Sequence, residues 1–223
     1  TSYDDLMTHS LEMFTYAQTL GEDRRANPQD DITSVMMTAE VDGEQLTPQE
    51  FGSFFILLVV AGNETTTNGI AAGIHMLARD NALHQQLKNN PQLVKEYVEE
   101  VLRTEAPVQC LFRRAIDDEE ISSVKIPAES VVMVHYGAAS RDESRFVNAD
   151  SFDLDRPKKG AHLAFGSGIH HCIGSELARV EMAAAFSAFT QRFSSIDLID
   201  QDVAYHATFA LRGIQSLNVR CKQ

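Results

Sequence analysis

Apolar residues recur along the chain at the three- and four-residue spacing that is typical of amphipathic helices. Residues 1–20 follow this pattern and are predicted to form one helix, with no capping signal at its start. Residues 21–31, which are charged and rich in helix breakers, separate this helix from the next. A short helix over residues 32–39 and a tight turn at residues 41–44 are predicted to follow.

The segment that begins at Thr47 carries strong signals of a helix start. Thr47 is a capping residue, Pro48 suits the first helical position, and Glu50 completes a capping box. The apolar pattern then continues to about Leu77, which predicts a helix of roughly 30 residues, ~45 Å long. Residues 51–61 are apolar almost all round, so we expect this helix to lie in the middle of the fold.

The second half of the chain mixes helices with short strands. A helix is predicted over residues 90–103, short strands over the β-branched stretch 121–136, and a long irregular loop over residues 141–160. Another helix is predicted over residues 172–193, and residues 205–219 favour a hairpin. The predicted fold class is therefore mainly α with small β-sheets.

The composition is that of a globular protein and argues against several kinds of partner. Apolar residues make up 43% of the 223 residues, and charged residues make up 23%. With 32 acidic and 19 basic residues, the net charge is −13, which repels phosphate backbones and predicts no nucleic-acid partner. The longest apolar run, residues 54–61, is far below the ~18 residues of a membrane span, so we expect no membrane association.

The cysteines and the start of the chain indicate a compartment. The three cysteines are an odd number, lie far apart and form no CxxC pair, so a disulfide framework is not expected. No signal peptide opens the chain. Together these features predict a reducing, cytoplasmic location.

The densest group of chemically informative residues lies at residues 165–174, with the sequence FGSGIHHCIG. Its three glycines allow the backbone to approach a flat group closely and to adopt positive φ angles. Cys172 is predicted to lie at the N-terminus of a helix, where free N–H groups and the helix dipole favour a thiolate that can bind a metal. An inert, buried cysteine after a glycine-rich turn is the plainer alternative.

Two other kinds of site fit this segment poorly. A dinucleotide-binding fingerprint would need glycine at His171. A zinc site made of His170, His171 and Cys172 would place three adjacent ligands in a strained tetrahedron, although it stays open as a weaker hypothesis.

A second group of polar residues, at positions 61–68, interrupts the long apolar helix. Gly62 costs about 1 kcal/mol inside a helix, and the neighbouring threonines add smaller penalties, so we expect the helix to loosen into a bulge here. Glu64 and Thr65 are residue types that transfer protons to a bound group. The alternative is a helix that has reached the surface and become polar.

A third feature is a glutamate–arginine pair, Glu100 and Arg103, at i and i+3 on one helical face. Such pairs are common on surfaces and contribute only about 0.3 kcal/mol there. The apolar neighbours Val98, Val101 and Leu102 predict partial burial, and a buried arginine would need further oxygen partners.

These three features, in this order, resemble the cytochrome P450 family of haem-thiolate monooxygenases. Residues 165–174 match the family pattern F-G-x-G-x-H-x-C-x-G at every fixed position. Residues 61–65 resemble the oxygen-activation motif of the family's long central helix, and Glu100 with Arg103 resembles its E-x-x-R pair. The resemblance implies the C-terminal haem-binding part of this fold, with residues 1–223 as a single partial domain that lacks the N-terminal half.

The resemblance also implies the cofactor and the residues that hold it. Haem b is the expected cofactor, with Cys172 as the thiolate ligand of its iron. Five other positions match the family's haem contacts: Arg113, Phe165, Gly166, His170 and Gly174. Of these, Arg113 and His170 match the partners of the haem propionates. Arg156 matches the arginine that joins Glu100 and Arg103 in a structural triad.

The implied reaction inserts one atom of O2 into an organic substrate. By the resemblance, Glu64 and Thr65 would deliver protons, and a ferredoxin-type protein would supply electrons, as in soluble bacterial members. Residues 56–61, 108–112 and 208–210 match segments that line family substrate pockets, and they are mostly apolar. We therefore expect a small lipophilic substrate.

One further alternative concerns the chain as a fragment. A central helix that is apolar all round cannot face water, so its exposed surface must find a partner. This favours, as the alternative to an enzyme, a non-catalytic haem-binding or apo fragment that self-associates through the exposed central helix.

Overall fold

The computed structural model describes residues 2–157 and 159–223. The α-helices are α1 (Tyr3–Ala26), α2 (Ile32–Thr38), α3 (Pro48–Arg79), α4 (Asn81–Asn89), α5 (Val94–Thr104), α6 (Tyr136–Ala139) and α7 (Ser175–Arg192). The strands are β1 (Glu40–Val41), β2 (Glu44–Gln45), β3 (Cys110–Arg114), β4 (Glu119–Ile121), β5 (Val124–Ile126), β6 (Val131–His135), β7 (Ser195–Leu198) and β8 (Val219–Lys222). The predicted class, mainly α with small sheets, is confirmed. By its internal contacts the chain divides into two compact units, Thr1–Asn63 and Glu64–Gln223.

The first unit begins with a helix that is capped, contrary to the prediction. The Asp5 amide donates to the Ser2 hydroxyl at 3.1 Å, and the Ser2 amide donates to the Asp5 carboxylate at 2.9 Å. The helix also continues through the segment that was predicted to end it. Gly21 is buried inside α1 beside the ring of Phe51, and its missing side chain leaves room for that ring.

The hairpin and the start of α3 follow the predictions. Asp42 and Gly43, with φ angles of 55° and 83°, form the tight turn between β1 and β2. The Glu50 amide donates to the Thr47 hydroxyl at 3.2 Å, and the Thr47 amide donates to the Glu50 carboxylate at 2.9 Å. Helix α3 then runs for 32 residues.

The apolar part of α3 is less enclosed than predicted. Leu57 and Val60 are 58% and 60% exposed. The prediction that this segment lies in the middle of the fold is therefore not met within this chain, which leaves part of the apolar surface uncovered.

In the second unit, glycines on α3 allow α7 to pack closely. A side chain on Gly69 would meet Met182, and one on Gly73 would meet the ring of Phe186, one helical turn further along both helices. The Tyr97 hydroxyl on α5 donates to the Gly73 carbonyl at 2.5 Å, and its ring meets that of Phe186 edge to face. These contacts form the centre of the larger core.

Within the described residues, the sheets of this unit are three antiparallel pairs, β3 with β6, β4 with β5 and β7 with β8, and they were partly predicted. Strands β5 and β6 lie in the predicted stretch 121–136, β4 overlaps it only at Ile121, and β3, which pairs with β6, was not predicted. Helix α4 was also missed; the Asp80 side chain caps it by accepting from the Leu83 amide at 3.0 Å. In the predicted tail hairpin, Tyr205 bridges to Ile214, while β7 and β8 pair outside it.

Two further findings concern the predicted loop and membrane association. Within residues 141–160, the described residues include only the 3-10 turn Lys159–Ala161 besides irregular backbone. Across residues 2–157 and 159–223, none of the helices combines the length and apolarity that crossing a membrane requires.

Candidate functional site

The cysteine segment forms a closed loop. The Cys172 amide donates to the Phe165 carbonyl at 2.9 Å, and the Ser175 amide donates to the Cys172 carbonyl at 3.3 Å. Gly166 and Gly168 have φ angles of 68° and 70°, which favour glycine. The Cys172 thiol is free and exposed at this loop.

The predicted start of the following helix is corrected by the structure. Gly174 is the N-cap of α7, so Cys172 lies two residues before the cap rather than in the first turn. A 3-10 turn, Gly168–His170, precedes it. The Cys172 amide binds the Phe165 carbonyl within the preceding loop, and apolar periodicity, which places helix ends only to within about two residues, did not locate this boundary.

The surface around the thiol suits a flat, apolar group with an iron centre. Ile169 and Ile173 flank the loop with side chains 98% and 80% exposed, although isoleucine is usually buried. A side chain built on Gly168 would meet no atom within 4 Å, and one on Gly174 would lie 4.0 Å from the Cys172 sulfur. A free thiol among exposed apolar side chains and bare glycines therefore fits a haem held by Cys172.

Cationic groups stand beside this loop. The Arg113 guanidinium on β3 donates to the Phe112 carbonyl at 2.9 Å and to the Tyr136 hydroxyl at 3.4 Å, and both acceptors are neutral. The Tyr136 hydroxyl in turn lies 3.9 Å from where a side chain on Gly166 would begin. The structure thus brings Arg113 close to the cysteine loop, where its charge is available to an acidic group. His170 is exposed within the loop itself.

Glu100, Arg103 and Arg156 meet in one buried cluster. Arg103 donates to both carboxylate oxygens of Glu100 at 2.8 Å, a bidentate pair, and Arg156 donates to Glu100 Oε1 at 3.1 Å. The side chains of Glu100 and Arg103 are fully buried, and that of Arg156 is 4% exposed. The pairing across 56 residues joins α5 to the irregular loop.

Backbone carbonyls satisfy the remaining donors of Arg103. Its Nη1 donates to the carbonyls of Ser140 at 3.0 Å and Ala149 at 2.6 Å, and its Nη2 donates to that of Ser151 at 2.9 Å. These are the further oxygen partners that a buried arginine was expected to need. One side chain therefore determines where three parts of the loop lie.

Glu64 and Thr65 lie on α3, and the predicted bulge at this position is wrong. Every residue from Pro48 to Arg79 is α-helical, with Glu64 exposed and Thr65 half-buried. Exposure removes the cost of a buried carboxylate, and the propensity penalties are small beside the cooperativity of so long a helix. The Asn68 side chain, one turn further on, occupies the space beside Gly213 of the tail.

The zinc hypothesis receives no support in the part of the chain that the structure describes. No group of three or more histidine, cysteine, aspartate or glutamate side chains there is arranged to hold a metal ion. The ring of His171 stacks on Phe165, with centroids 6.4 Å apart, and its Nδ1 donates to the Cys172 carbonyl at 3.2 Å.

Two of the segments that were expected to line a substrate pocket, residues 108–112 and 208–210, meet in the second unit. Val108 bridges to Leu211, and the rings of Phe112 and Phe209 lie 5.9 Å apart, edge to face. Phe112 and Phe209 remain 46% and 68% exposed. These aromatic side chains form an apolar surface beside Arg113.

A polar cluster that was not predicted connects α5, α7 and the segment before the cysteine loop. The Glu99 carboxylate accepts from Arg179 Nε at 2.6 Å and lies 3.2 Å from His162 Nε2. The three residues are far apart in sequence and match no spacing rule, so no local pattern indicated the cluster. A second glutamate directly before Glu100 was the only available hint.

Glu99→Gln is expected to reduce the acid sensitivity of folding. Burial raises the pKa of Glu99, but hydrogen bonds from His162 and Arg179 outweigh it and lower the pKa from 4.5 to about 2. A carboxylate whose pKa is lowered by folding stabilises the protein above its ordinary pKa of 4.5, and this stability is lost as the pH falls toward 2. Urea midpoints measured from about pH 6 to about pH 3 should fall less steeply in the variant; equal slopes would contradict this.

Comparison with known proteins places this geometry in a family. The model of the family described as Cytochrome P450 matches residues 5–204. Cytochrome P450 109 of Bacillus spizizenii is 40% identical over 199 residues, which cover 88% of this chain and 49% of that protein. The methyl-branched lipid omega-hydroxylase of Mycobacterium bovis is 39% identical over 221 residues, 98% of this chain and 51% of that protein.

A solved structure shows the same fold. The crystal structure of CYP109E1 from Bacillus megaterium in complex with testosterone is 36% identical, with a TM-score of 0.93, and the match covers 97% of this chain and 60% of that one. The chain spans about half the length of the curated relatives it matches. Its matched residues, the cysteine loop and the fold together show that the chain belongs to the cytochrome P450 family, whose members are haem proteins.

Proposed function

We propose that this chain is the haem-binding part of a monooxygenase that inserts one atom of O2 into a small lipophilic substrate. The observation that carries the proposal is the free, exposed thiol of Cys172 in a loop closed onto Phe165, with the Arg113 guanidinium beside it. When bound, a haem with a thiolate ligand supplies the activation of O2, because the thiolate pushes electron density toward the iron.

The chain's own residues would hold this cofactor and keep it oriented. Cys172 would bind the iron, and Phe165, Gly166 and Gly174 would lie against the ring. Arg113 and His170 would pair with the two propionates, since charge-assisted hydrogen bonds to carboxylates are the strong ones. Glu100, Arg103 and Arg156 act at a distance, because they fix the loop that lies beside this site.

Glu64 and Thr65, neighbours on α3, would hold and move protons for the reaction. The exposed Glu64 carboxylate can exchange protons with solvent, and the half-buried Thr65 hydroxyl both donates and accepts hydrogen bonds. Their adjacent positions on α3 would let the Glu64 carboxylate take up a proton from solvent and the Thr65 hydroxyl relay it into the site.

Thr65→Ala is expected to uncouple oxygen use from product formation. Removing the hydroxyl interrupts proton delivery, so the ratio of product formed to oxygen consumed should fall severalfold while haem content stays unchanged. The measurement compares oxygen uptake with product in the presence of a fatty acid or a steroid, with Thr67→Ala, on the same helix, as the control. Tight coupling in Thr65→Ala would exclude this role.

The proposed substrate class is supported by the apolar side chains of the expected pocket-lining segments and by the names of the relatives. Phe112 and Phe209 present an apolar aromatic surface, which suits aliphatic or polycyclic molecules. The named relatives include a methyl-branched lipid hydroxylase and a protein crystallised with testosterone. Both point to lipids or steroids rather than polar metabolites.

The proposal extends to the electron donor and the compartment. The relatives are bacterial, and we propose a ferredoxin-type donor for this protein. All three cysteines are free, which supports the reducing cytoplasm as the location.

A haemin titration tests the proposal directly. The purified chain should bind haemin at equimolar ratio, contain iron rather than zinc, and give a red-shifted ferrous–carbonyl band after reduction. Well-folded protein with no affinity for haemin would overturn the proposal.

The alternative, a non-catalytic fragment that self-associates, rests on the exposed apolar side chains of Leu57 and Val60 on α3. Intact mass, haem content per chain and light scattering separate the two functions. A haem-free dimer without oxygen uptake would favour the fragment, whereas a haem-loaded chain that consumes oxygen would favour the enzyme.

A further inference from the structure

The ring of Phe165 is held by polar groups from the segments around it. The Arg179 guanidinium on α7 lies over the ring at 4.6 Å from its centroid, a cation–π contact. The rings of His171 and His162 lie 6.4 Å and 6.0 Å from it. Phe165 itself is only half-buried, so its position depends on these contacts rather than on a dry core.

Glu99 on α5 holds two of these three groups at once. Its Oε1 accepts from Arg179 Nε at 2.6 Å, and its Oε2 accepts from His162 Nε2 at 3.2 Å. His162 Nδ1 accepts from the Ala164 amide at 3.2 Å, so this nitrogen carries no proton and Nε2 is the donor. Arg179 Nη2 also donates to Oε2, at 3.3 Å, so Arg179 spans both carboxylate oxygens and His162 shares one of them.

Phe165 is connected in turn to the cysteine. Its carbonyl oxygen accepts the hydrogen bond from the Cys172 amide at 2.9 Å, which closes the loop. A displacement of Phe165 would therefore loosen the backbone of Cys172. Glu99 is therefore connected to the Cys172 backbone by one ion pair, one cation–π contact and one backbone hydrogen bond.

We propose that Glu99 is a positioning residue for Cys172: it fixes Arg179 and His162 against Phe165 and thereby holds the cysteine loop in one conformation. The part of this proposal that concerns haem binding rests on the proposed function. Adjacent residues of α5 hold different segments: Glu100 binds Arg103 and Arg156, and Glu99 binds the side chains that contact Phe165 in the cysteine loop. Charge-assisted hydrogen bonds of this kind are stronger than neutral ones, and the Glu99 side chain is only 18% exposed.

Amide hydrogen exchange at Cys172 in the haem-free chain tests the proposal. Glu99→Gln removes the charge and one acceptor oxygen, so exchange of the Cys172 amide should become about tenfold faster or more. Glu176→Gln is the matched control, because Glu176 also binds Arg179, at 2.9 Å, but is 85% exposed and does not bind His162. The control should leave this exchange unchanged.

The pattern of exchange distinguishes positioning from general stabilisation. A purely structural Glu99 would raise exchange equally along α5, α7 and the loop, and that outcome, like unchanged exchange, would overturn the proposal. If Glu99→Gln does not fold, Arg179→Lys replaces it as the test. A lysine keeps the pairing with Glu99 but loses the planar cation over Phe165, so exchange at Cys172 should rise by a smaller factor.

A second readout uses the haem-loaded chain. In Glu99→Gln, the reduced, carbonyl-treated protein should contain a fraction without the red-shifted band, and Glu176→Gln should not. Failure of the whole chain to bind haemin would affect only the proposed function, because the exchange experiment needs no haem. Unchanged exchange together with normal spectra would overturn the positioning role alone.

Discussion

Cys172→Ala is expected to abolish the red-shifted ferrous–carbonyl band and to weaken haemin binding severely. The band depends on a thiolate ligand, and the free thiol at Cys172 stands among exposed apolar side chains that suit a flat cofactor. Losing a partner that only supports a metal ligand costs about 10–100-fold in affinity. Losing the ligand itself should therefore cost more than about 100-fold.

The other cysteines provide the control for this experiment. Cys221 lies on β8, half-buried, and Cys221→Ala should keep both the band and the haemin affinity. Absorbance of the reduced, carbonyl-treated protein measures the band, and haemin titration measures the affinity. A normal band in Cys172→Ala would reject Cys172 as the ligand.

Arg103→Ala is expected to have the largest effect on stability, a loss of about 3–5 kcal/mol in the free energy of unfolding. The substitution leaves the Glu100 carboxylate buried without its bidentate partner, and it leaves the Ser140 and Ala149 carbonyls without this donor, while the Ser151 carbonyl keeps its hydrogen bond from Arg156. Arg103→Lys should also be strongly destabilising, because one ammonium group cannot reproduce the planar fork. Urea unfolding followed by circular dichroism measures the loss.

An exposed arginine on a neighbouring helix controls for the loss of charge. Arg192, in the last turn of α7, is exposed, and Arg192→Ala should change stability by no more than about 0.5 kcal/mol. A loss below about 1 kcal/mol in Arg103→Ala would show that the loop carbonyls find other donors.

Helix α5 holds both the cysteine loop and the irregular loop that these two substitutions would affect. Helix α5 is buried along much of its length and carries Glu99 and Glu100 on consecutive positions. One carboxylate faces the cysteine loop through Arg179, and the other faces the irregular loop through Arg103 and Arg156. A short helix in the core thus positions two segments that have no regular structure of their own.

Elements whose signals are local were predicted well. The capping box of Thr47 and Glu50 and the turn at Asp42 and Gly43 depend on groups within three residues of each other. The predicted end of α1 and start of α7 were wrong for a common reason. Each boundary depends on contacts that periodicity does not record: the ring of Phe51 packs on Gly21 within α1, and Cys172 lies in the loop closed onto Phe165, two residues before the Gly174 cap.

Strand β3 was not predicted because the local sequence pattern carries no signal of a strand there. Strand β3 has the burial pattern of an exposed edge, with only Cys110 buried, so its side chains do not alternate. Its extended form depends on pairing with β6, from Cys110 with His135 to Arg114 with Val131. The partner strand lies beyond any window that a periodicity argument uses.

The sequence by itself determined the fold class, most of the helices and the residue types around Cys172, since capping, periodicity and motif spacing act over a few neighbouring positions. Only the tertiary structure decided which carbonyls the buried Arg103 binds and that Glu99 pairs with Arg179 and His162. Arg103 binds carbonyls 37 to 48 residues away, and Glu99 binds Arg179 across 80 residues. Such partners are chosen when the chain closes around its core, because a buried charge must then find whatever oxygen or nitrogen the folded backbone presents.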